Sequence, residues 1–282
     1  MTSGPADCSL LTTDGFFVKL ARMAGRVRIE TDGALGWIIF DYAERRNAIS
    51  TEMWRALPGA VHMLEDNAAV RVIIMRGAGD LAFVSGADIS EFAENRSGAA
   101  VEDYDLDNAR AFVALLSATK PVIALIHGFC VGGGCALALA ADLRYAADDA
   151  VFAIPAARLG LGYSPRGFEM LVRIVGIAAA KEIFFTARRF TAAEALRMGL
   201  VNQVFPKGEA DAVVRRTAEE IASNAPLTVR SAKLILNELM RDPGERNQAA
   251  MAASVRACYD SDDYLEGVRA FLEKRRPAFT GR

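Results

Sequence analysis

Three consecutive glycines, Gly132 to Gly134, lie inside the segment GFCVGGGCALALAAD (128–142), and their backbone could do chemistry directly. Glycine lets a backbone N–H approach a ligand that a side chain would keep away. The residues PVIALI (121–126), which precede this segment, are typical of a strand. The residues GCALALAAD (134–142), which begin at the last of the three glycines, are rich in helix formers. The first N–H groups of a helix have no intrahelical acceptor. The segment therefore predicts amides available to a negatively charged oxygen.

Two other interpretations of the segment have to be weighed. Residues 122–141 carry no formal charge, and Gly128 and Gly132 form a GxxxG pattern, which is also typical of a membrane helix. The division into strand, turn and helix, together with charged amphipathic segments elsewhere, favours a buried unit of a soluble protein instead. A phosphate loop is disfavoured because no GK[ST] follows, and Leu137 interrupts a GxGxxG pattern.

Composition excludes several classes of function. A formal net charge of −2 gives no reason to expect nucleic acid as a partner. The four cysteines form no CxxC pair, and with only two histidines the usual metal-ligand spacings cannot be assembled. We interpret the cysteines as reduced thiols of a cytoplasmic protein. The N-terminus lacks the basic start and apolar run of a secretory signal, so residues 1–25 are predicted to be a poorly ordered extension.

The first part of the chain predicts alternating strands and helices. Residues 26–42 alternate around Asp32-Gly33, which predicts a hairpin with these two residues as its turn. Ser50 or Thr51 can cap the helix that follows, and Pro58 is predicted to kink or split it. Strands are predicted at residues 70–76 and near Phe83.

The second part of the chain is more helical. A helix is predicted between Val101 and Thr119, and the pattern is helical throughout from about Pro206. No low-complexity linker separates the parts, so we predict a core domain at residues 26–205 and a packed helical region at 206–282.

Five motifs in a fixed order carry a resemblance to a known family. They are Asn47-Ala48, FVSGADISEF (83–92), KPVIALIHGFCVGGGCALALAADLRYA (120–146), FTAAEALRMGLVNQV (190–204) and EGVRAFLEKRRPAF (266–279). Together they resemble the enoyl-CoA hydratase/isomerase, or crotonase, family. The resemblance implies an α/β fold with a ββα spiral core, and a helical C-terminal region that forms a homotrimer or a dimer of trimers. It also implies an acyl-CoA thioester as ligand, with coenzyme A as part of the substrate and no separate cofactor.

The resemblance gives the glycine segment a function. In this family two backbone N–H groups polarise the thioester carbonyl, and the matching positions are Ala87 and Gly133. A thioester enolate carries its negative charge on that oxygen, so fixed N–H donors stabilise it more than they stabilise the substrate.

Binding positions for coenzyme A are implied in the same way. Ser85, Asp88 and Ile89 match the part of the family that receives the adenine, and Ala48 lies where the pantetheine passes. Lys274 matches a cation that approaches the nucleotide phosphates, although it could equally be a solvated member of the charge run EKRR.

The acid-base residues of the family are where this sequence departs from the pattern. Hydratases of the family use two glutamates to hold and activate water, and the matching positions here are Ala136 and Ala156. Alanine cannot transfer a proton or position water. We therefore expect very little ordinary hydratase activity.

Other polar residues are candidates for the missing role. Glu169 is predicted to be a pocket base or a surface carboxylate, and Tyr163 either a hydrogen-bond donor to substrate or a packing residue. The Ser164 N–H could help to hold a water. Glu91, Glu94 and Tyr104 are weaker candidates.

Two classes of function remain open. One is an enzyme that acts on an acyl-CoA through an enolate, for which a decarboxylase or an isomerase with a relocated base fits better than a hydratase. The other is a non-catalytic acyl-CoA binding protein. The preserved amide pair favours chemistry, whereas the two alanines disfavour water addition.

Overall fold

The computed structural model describes residues 25–88, residue 91 and residues 100–282. The predicted N-terminal extension, apart from Gly25, lies outside the described residues, and so do Ile89 and Glu94.

The hairpin predicted at the start of the core is present, with its turn shifted by one residue. Strands β1 (Arg26–Asp32) and β2 (Leu35–Asp41) are antiparallel, and Asp32 pairs with Leu35. The turn is therefore Gly33 and Ala34, and the prediction of Asp32-Gly33 is wrong. Gly33 occupies the first turn position with a φ of 57°, a conformation that glycine adopts without steric cost.

The remaining strands form the rest of two sheets. They are β3 (Val72–Gly77), β4 (Ala82–Val84), β5 (Val122–Ile126), β6 (Phe129–Val131), β7 (Leu143–Ala147), β8 (Val151–Ala153), β9 (Phe190–Thr191) and β10 (Gln203–Phe205). The larger sheet has the order β1-β2-β3-β5-β7-β10 and is parallel except for β1. The smaller sheet has the order β4-β6-β8-β9.

The helices are distributed around the sheets and over the C-terminal region. They are α1 (Thr51–Asp66), α2 (Ala100–Ser117), α3 (Gly133–Leu139), α4 (Pro165–Thr186), α5 (Ala192–Arg197), α6 (Lys207–Ser223), α7 (Pro226–Leu239), α8 (Gln248–Tyr259) and α9 (Asp262–Leu272). Helix α2 confirms the helix predicted between Val101 and Thr119, and helices α6 to α9 confirm the helical pattern after Pro206. No helix in the described part of the chain is both long and apolar enough to cross a membrane.

Helix α1 is capped as predicted but is not broken. The Ser50 side chain accepts a hydrogen bond from the Met53 N–H, which makes Ser50 the N-cap. The helix continues through Pro58 to Asp66, so it is not split there, and a kink at Pro58 stays a prediction. Met53 and Leu57 before the proline and Leu64 after it are buried on one face, and this packing holds both halves together.

Strand β6 was not predicted, because the residues HGFCVGGG were interpreted as a turn. Gly128 explains the difference. It has a φ of 50°, and a side chain at this position would collide with the carbonyl of Leu81. The chain can therefore bend sharply after β5, leave the larger sheet and pair with β4 in the smaller one.

The core fills both faces of the larger sheet. Alternate residues along β3 and β5 point to opposite faces, as the pleat requires. On one face, Ile74 and Leu125 pack in a first cluster with Val214 and Ala218 of α6. On the opposite face, Met75 belongs to a second cluster of buried side chains. The second cluster also includes buried residues of α1 and α3, so this face positions the helices that carry the candidate site.

Candidate functional site

The two turns predicted to supply the oxyanion amides are neighbours in the structure. Strands β4 and β6 are parallel and pair at Val84 and Cys130, so the turns that follow them lie at the same edge of the smaller sheet. A Cβ on Gly132 would lie 4.0 Å from Gly86 Cα. Ala87 and Gly133 each follow directly after these two glycines.

The amide of Ala87 is oriented by Ile49. The Ile49 N–H donates to the Gly86 carbonyl at 2.8 Å, and the Asp88 N–H donates to the Ile49 carbonyl at 3.0 Å. These two bonds flank Ala87, and in a parallel bridge the flanked residue turns its own N–H to the opposite side. Within the described residues, this N–H has no hydrogen-bond acceptor.

The amide of Gly133 is left open by the start of α3. The Gly132 N–H donates to the Ala153 carbonyl at 2.8 Å, and the first intrahelical bond runs from the Ala136 N–H to the Gly132 carbonyl at 3.1 Å. The Gly133 N–H lies between them and has no acceptor in the described part of the chain. A side chain on Gly134 would collide with Val84, so close packing of α3 on β4 also requires glycine there.

Apolar side chains of α1 and of the loop before it lie beneath Gly133. A Cβ on Gly133 would lie 3.3 Å from Trp54 Cζ2 and 3.5 Å from Ile49 Cγ2. Trp54 is buried and packs edge-on against Phe112, with ring centroids 5.5 Å apart. Its indole N–H donates to the Tyr104 hydroxyl at 3.2 Å. Trp54 was not predicted as a site residue, because its sequence position marks it only as part of an amphipathic helix.

The positions matched to the family's glutamates are buried methyl groups. Ala136 lies in the first turn of α3, three residues after Gly133, and is 6% exposed. Ala156 is 5% exposed and belongs to a short 3-10 helix, Pro155–Leu159. The carbonyl of Ala156 accepts the Leu161 N–H at 3.0 Å, which closes the turn. Neither side chain can exchange a proton.

The predicted coenzyme A positions Ala48, Ser85 and Asp88 gather around Arg45. The Ala48 N–H and the Ser85 hydroxyl both donate to the Arg45 carbonyl, at 3.0 and 3.1 Å. The buried Asp88 carboxylate pairs with the Arg45 guanidinium at 3.1 Å. Arg45 was missed by the sequence analysis, although it stands two residues before Asn47 of the Asn47-Ala48 motif. Asn47 fixes this loop, since its side-chain amide donates to the carbonyls of Ala78 and Ala82.

The candidates at the start of helix α4 make structural contacts. Ser164 is the N-cap of α4, and its hydroxyl accepts the Gly167 N–H at 3.3 Å. The Tyr163 ring packs against Phe168 and Phe184, with centroid distances of 5.5 and 4.9 Å. The exposed Glu169 carboxylate forms an ion pair with Arg173 at 2.5 Å. A part in proton transfer stays a prediction for Tyr163 and Glu169.

Two further candidates have clear surroundings. The Glu91 carboxylate accepts hydrogen bonds from the Thr51 N–H and hydroxyl at 2.9 and 2.8 Å, and so caps α1. Lys274 follows α9, is exposed, and has no carboxylate partner among the described residues. The adjacent Glu273 instead pairs with Arg275 at 2.6 Å.

A buried histidine joins the core to the C-terminal region. His127 Nε2 lies 2.6 Å from the Asp211 carboxylate of α6, and Arg76 pairs with the same carboxylate. The hydrogen bond from His127 and the charge of Arg76 hold the pKa of Asp211 below its ordinary value. Over the described ranges, no group of three His, Cys, Asp or Glu residues is arranged to hold a metal ion.

Comparison with known proteins identifies the family. The family model for enoyl-CoA hydratase/isomerase matches residues 30–282. The chain is 36% identical over 253 residues to crotonyl-CoA hydratase of Syntrophomonas wolfei, covering 89% of this chain and 96% of that protein. It is 34% identical over 264 residues to carnitinyl-CoA dehydratase of Proteus mirabilis, covering 92% of this chain and all of that protein.

Solved structures agree with this assignment. An enoyl-CoA hydratase from Bacillus anthracis superposes with a TM-score of 0.85 at 31% identity, covering 91% of this chain and 100% of that chain. The fold of two sheets with a helical C-terminal region is therefore the crotonase fold predicted from the motifs. The chain belongs to the enoyl-CoA hydratase/isomerase family.

Proposed function

We propose that the chain is an acyl-CoA thioester enzyme that stabilises a thioester enolate between the N–H groups of Ala87 and Gly133. The observation that carries this proposal is the pair of amides in adjacent turns that have no acceptor among the described residues. Fixed backbone donors near a developing oxyanion need no reorganisation during the reaction, and they act strongly where water is excluded. Membership of a family of acyl-CoA enzymes supports the choice of substrate.

Decarboxylation fits the proposed site better than water addition. Water addition needs a group that holds and activates water, and Ala136 and Ala156 offer only methyl groups. Loss of carbon dioxide from an α-carboxyacyl thioester, such as a malonyl thioester, leaves an electron pair on the α-carbon without a base. The two amides would then stabilise the resulting enolate. An isomerase is the next alternative, but it requires a base to remove the first proton.

Coenzyme A enters this proposal as part of the substrate, with no separate cofactor. Ala48, Ser85 and Asp88 would receive its nucleotide and pantetheine, and the cluster around Arg45 supports this choice. Ile89 is proposed for the same role from the resemblance. Lys274 would approach the phosphates, which is consistent with its exposed side chain and with the lack of a carboxylate partner among the described residues.

We also propose that the chain assembles as a homotrimer, or as a dimer of trimers. A groove of about 700 Å³ lies among α7, α8 and α9 and away from the two amides. Its rim includes Phe271 and Leu272, which are 82% and 75% exposed. Large apolar surfaces of this kind mark protein contacts, and a second copy of the chain is the partner we propose.

The alternative is a non-catalytic acyl-CoA binding protein, which the two alanines favour.

One set of measurements separates the two functions. The assembled protein is titrated with butyryl-CoA by calorimetry. It is then assayed with malonyl-CoA and methylmalonyl-CoA for release of carbon dioxide, and with crotonyl-CoA for hydration. We expect saturable binding, decarboxylation above the uncatalysed rate and hydration at background. Binding without turnover would favour the alternative, efficient hydration would refute the choice of decarboxylation, and no binding would refute both functions.

Restoring the carboxylates tests why hydration is expected to fail. The double variant Ala136→Glu with Ala156→Glu should gain roughly a hundredfold in crotonyl-CoA hydration, because a positioned acid-base pair contributes at least that much. The matched control replaces both residues with glutamine, which has nearly the same size but transfers no proton. A folded glutamate variant that binds crotonyl-CoA but gains no hydration over the glutamine control would contradict this explanation.

A further inference from the structure

We infer that Asn47 is a positioning residue for the oxyanion amides, because its side chain fixes the loop from which Ile49 reaches both of them. This inference rests on the proposed function, since it concerns the donors Ala87 and Gly133 of the same site. It starts from the Asn47 side chain, which is 1% exposed and forms hydrogen bonds with three different stretches of backbone.

Ile49 contacts one turn through its backbone and the other through its side chain. Its N–H and carbonyl form the bonds to Gly86 and Asp88 that flank Ala87 and aim its amide. Its Cγ2 atom would lie 3.5 Å from a Cβ on Gly133. A displacement of Ile49 would therefore turn one amide directly and change the packing beneath the other.

The loop before Ile49 has a backbone that cannot hold its shape alone. Arg46 and Asn47 are consecutive residues with φ values of 52° and 56°, in the left-handed region. Residues with a side chain rarely adopt this region, although asparagine does so more readily than most. Such a conformation persists only where the surrounding contacts determine it. The position of Ile49 therefore depends on the contacts that this loop makes with the rest of the fold.

The Asn47 side chain supplies three of these contacts. Its Oδ1 atom accepts the Tyr42 N–H at 3.0 Å, and this bond closes the loop on itself. Its Nδ2 atom donates to the Ala78 carbonyl at 3.0 Å and to the Ala82 carbonyl at 2.8 Å. Ala82 is the first residue of β4, the strand that precedes the Ala87 turn. Both N–H donors of the side chain are thus used to set the loop against the backbone around that strand.

The fold leaves room for this side chain at Gly77. A Cβ on Gly77, the last residue of β3, would lie 2.5 Å from Asn47 Nδ2 and would collide with the Ala82 carbonyl. Glycine at the end of β3 therefore lets the Asn47 amide reach β4. A longer or shorter side chain at position 47 could not form the same three bonds.

Ile49 is held from its other side by helix α1. Ser50 is the N-cap of this helix, and its hydroxyl accepts the Met53 N–H at 3.2 Å. The cap fixes where α1 begins, whereas Asn47 fixes how the loop meets β4. Because Ile49 lies between these two anchors, loss of the Asn47 contacts should shift Ile49 without unfolding α1.

The test uses Asn47→Gly in the assembled protein. Glycine adopts the left-handed conformation without steric cost, so the variant removes the three side-chain bonds and keeps that backbone shape available. Butyryl-CoA with an isotope-labelled thioester carbonyl is bound at saturation, and the carbonyl stretching band is measured by infrared difference spectroscopy. Two fixed N–H donors weaken the C=O bond, so the wild-type band should lie at a lower frequency than that of free butyryl-CoA.

We expect Asn47→Gly to bind butyryl-CoA saturably, with a carbonyl band that moves back towards its position in the free ligand. Decarboxylation of methylmalonyl-CoA should fall by roughly a hundredfold, which is the loss that a displacement of about 1 Å can cause. Asn202→Ser is the matched control. The Asn202 side chain also accepts a backbone N–H, that of Arg144 at 2.8 Å, but it joins β7 to the start of β10. This variant should leave the band and the turnover unchanged.

Asn47→Asp covers the case in which Asn47→Gly does not fold. Aspartate keeps the size of the side chain and the oxygen that faces Tyr42. A carboxyl group has at most one proton to donate, whereas the amide has two. At least one of the bonds to Ala78 and Ala82 is therefore lost, and the band and the turnover should change in the same direction as in Asn47→Gly.

The outcomes separate this inference from the function on which it rests. If the wild-type protein neither binds butyryl-CoA nor decarboxylates methylmalonyl-CoA, the proposed function fails. The carbonyl band needs no turnover, so it tests Asn47 even in a protein that only binds. If wild type lowers the carbonyl frequency, and a folded Asn47 variant at saturation lowers it equally, the inference about Asn47 is overturned while the proposed function stands. A variant that only melts earlier or binds more weakly would also overturn it, because a purely structural residue would have that effect.

Discussion

At the scale of single residues, Ala87 and Gly133 enter the proposed mechanism through their backbone rather than their side chains. Ala87 is aimed by the two hydrogen bonds to Ile49, and Gly133 by the start of α3. The size of the residue at position 133 matters only for packing, because a side chain there would press on Trp54. Substitutions that keep the N–H should therefore be tolerated far better than substitutions that remove it.

Proline and alanine at position 133 separate these two effects. Gly133 is the first residue of α3, a position where proline fits the helix because its missing N–H has no intrahelical acceptor. Gly133→Pro should lower turnover by roughly a hundred- to a thousandfold, the usual loss when one oxyanion donor is removed. Gly133→Ala keeps the donor and is the matched control. Steady-state turnover and melting temperature are measured for both, and equal turnover in two folded variants would contradict a catalytic amide at this position.

The residues of the site differ in how far the sequence predicts them. Ala87 and Gly133 lie in continuous motifs, so their positions and the turns around them follow from neighbouring residues. Trp54 and Tyr104 are fifty residues apart, and each looks like an ordinary member of an amphipathic helix. Their contact depends on how α1 and α2 pack, which local patterns do not specify. Arg45 was missed because its partner, Asp88, lies forty-three residues further along the chain.

At the scale of elements, local signals predicted the helices better than the short strands. Ser50 and the apolar face of α1 were sufficient to predict that helix, which continues through Pro58 rather than splitting there. Strand β6 has three residues and no alternation long enough to detect. It exists because Gly128 redirects the chain towards β4, and this tertiary cause has no counterpart in strand propensity.

Helix α5 offers an element whose stability should depend on one carboxylate. Glu194 Oε2 accepts the Thr191 N–H at 2.8 Å, and the Thr191 hydroxyl accepts the Glu194 N–H at 3.3 Å, which together form a capping box. The Thr191 N–H and the Arg188 guanidinium lower the pKa of Glu194 from 4.5 to about 2. Because the pKa is lower in the folded state, the stabilisation is present above pH 4.5 and is lost as the pH falls towards 2.

Glu194→Gln should therefore melt at a lower temperature than wild type at pH 7, and the difference should narrow as the pH falls below 4.5. Glu209→Gln is the matched control. Glu209 is also the third residue of its helix, α6, but the residue before that helix is Pro206, which makes no side-chain cap. Thermal unfolding is followed by circular dichroism from pH 7 to pH 3. A difference between Glu194→Gln and wild type that stays constant over this range would rule out ionisation of Glu194 as its cause.

At the scale of the whole molecule, the C-terminal region is attached to the core and also presents apolar surface. The Arg71 guanidinium donates to the carbonyls of Ala222 and Phe279, at 2.9 and 2.6 Å, and so ties α6 and the final segment to the larger sheet. The buried Asp263 carboxylate accepts the N–H groups of Thr280 and Gly281. These bonds fix α9 in place, so its exposed apolar side chains form a defined surface rather than a disordered tail.

Phe271 is the residue of this surface whose substitution we expect to disrupt subunit assembly most. It is 82% exposed in the single chain and lines the groove among α7, α8 and α9. If a second copy covers it, Phe271→Asp would bury a carboxylate without a partner, which is strongly unfavourable. Light scattering should give the wild-type protein three or six times the mass of the 30.3 kDa chain, and the variant a mass close to one chain. Met63→Asp, at a residue 63% exposed on α1, is the control and should not change the mass. A monomeric wild type, or a Phe271→Asp variant that remains fully assembled, would contradict the assignment of this face to subunit contacts.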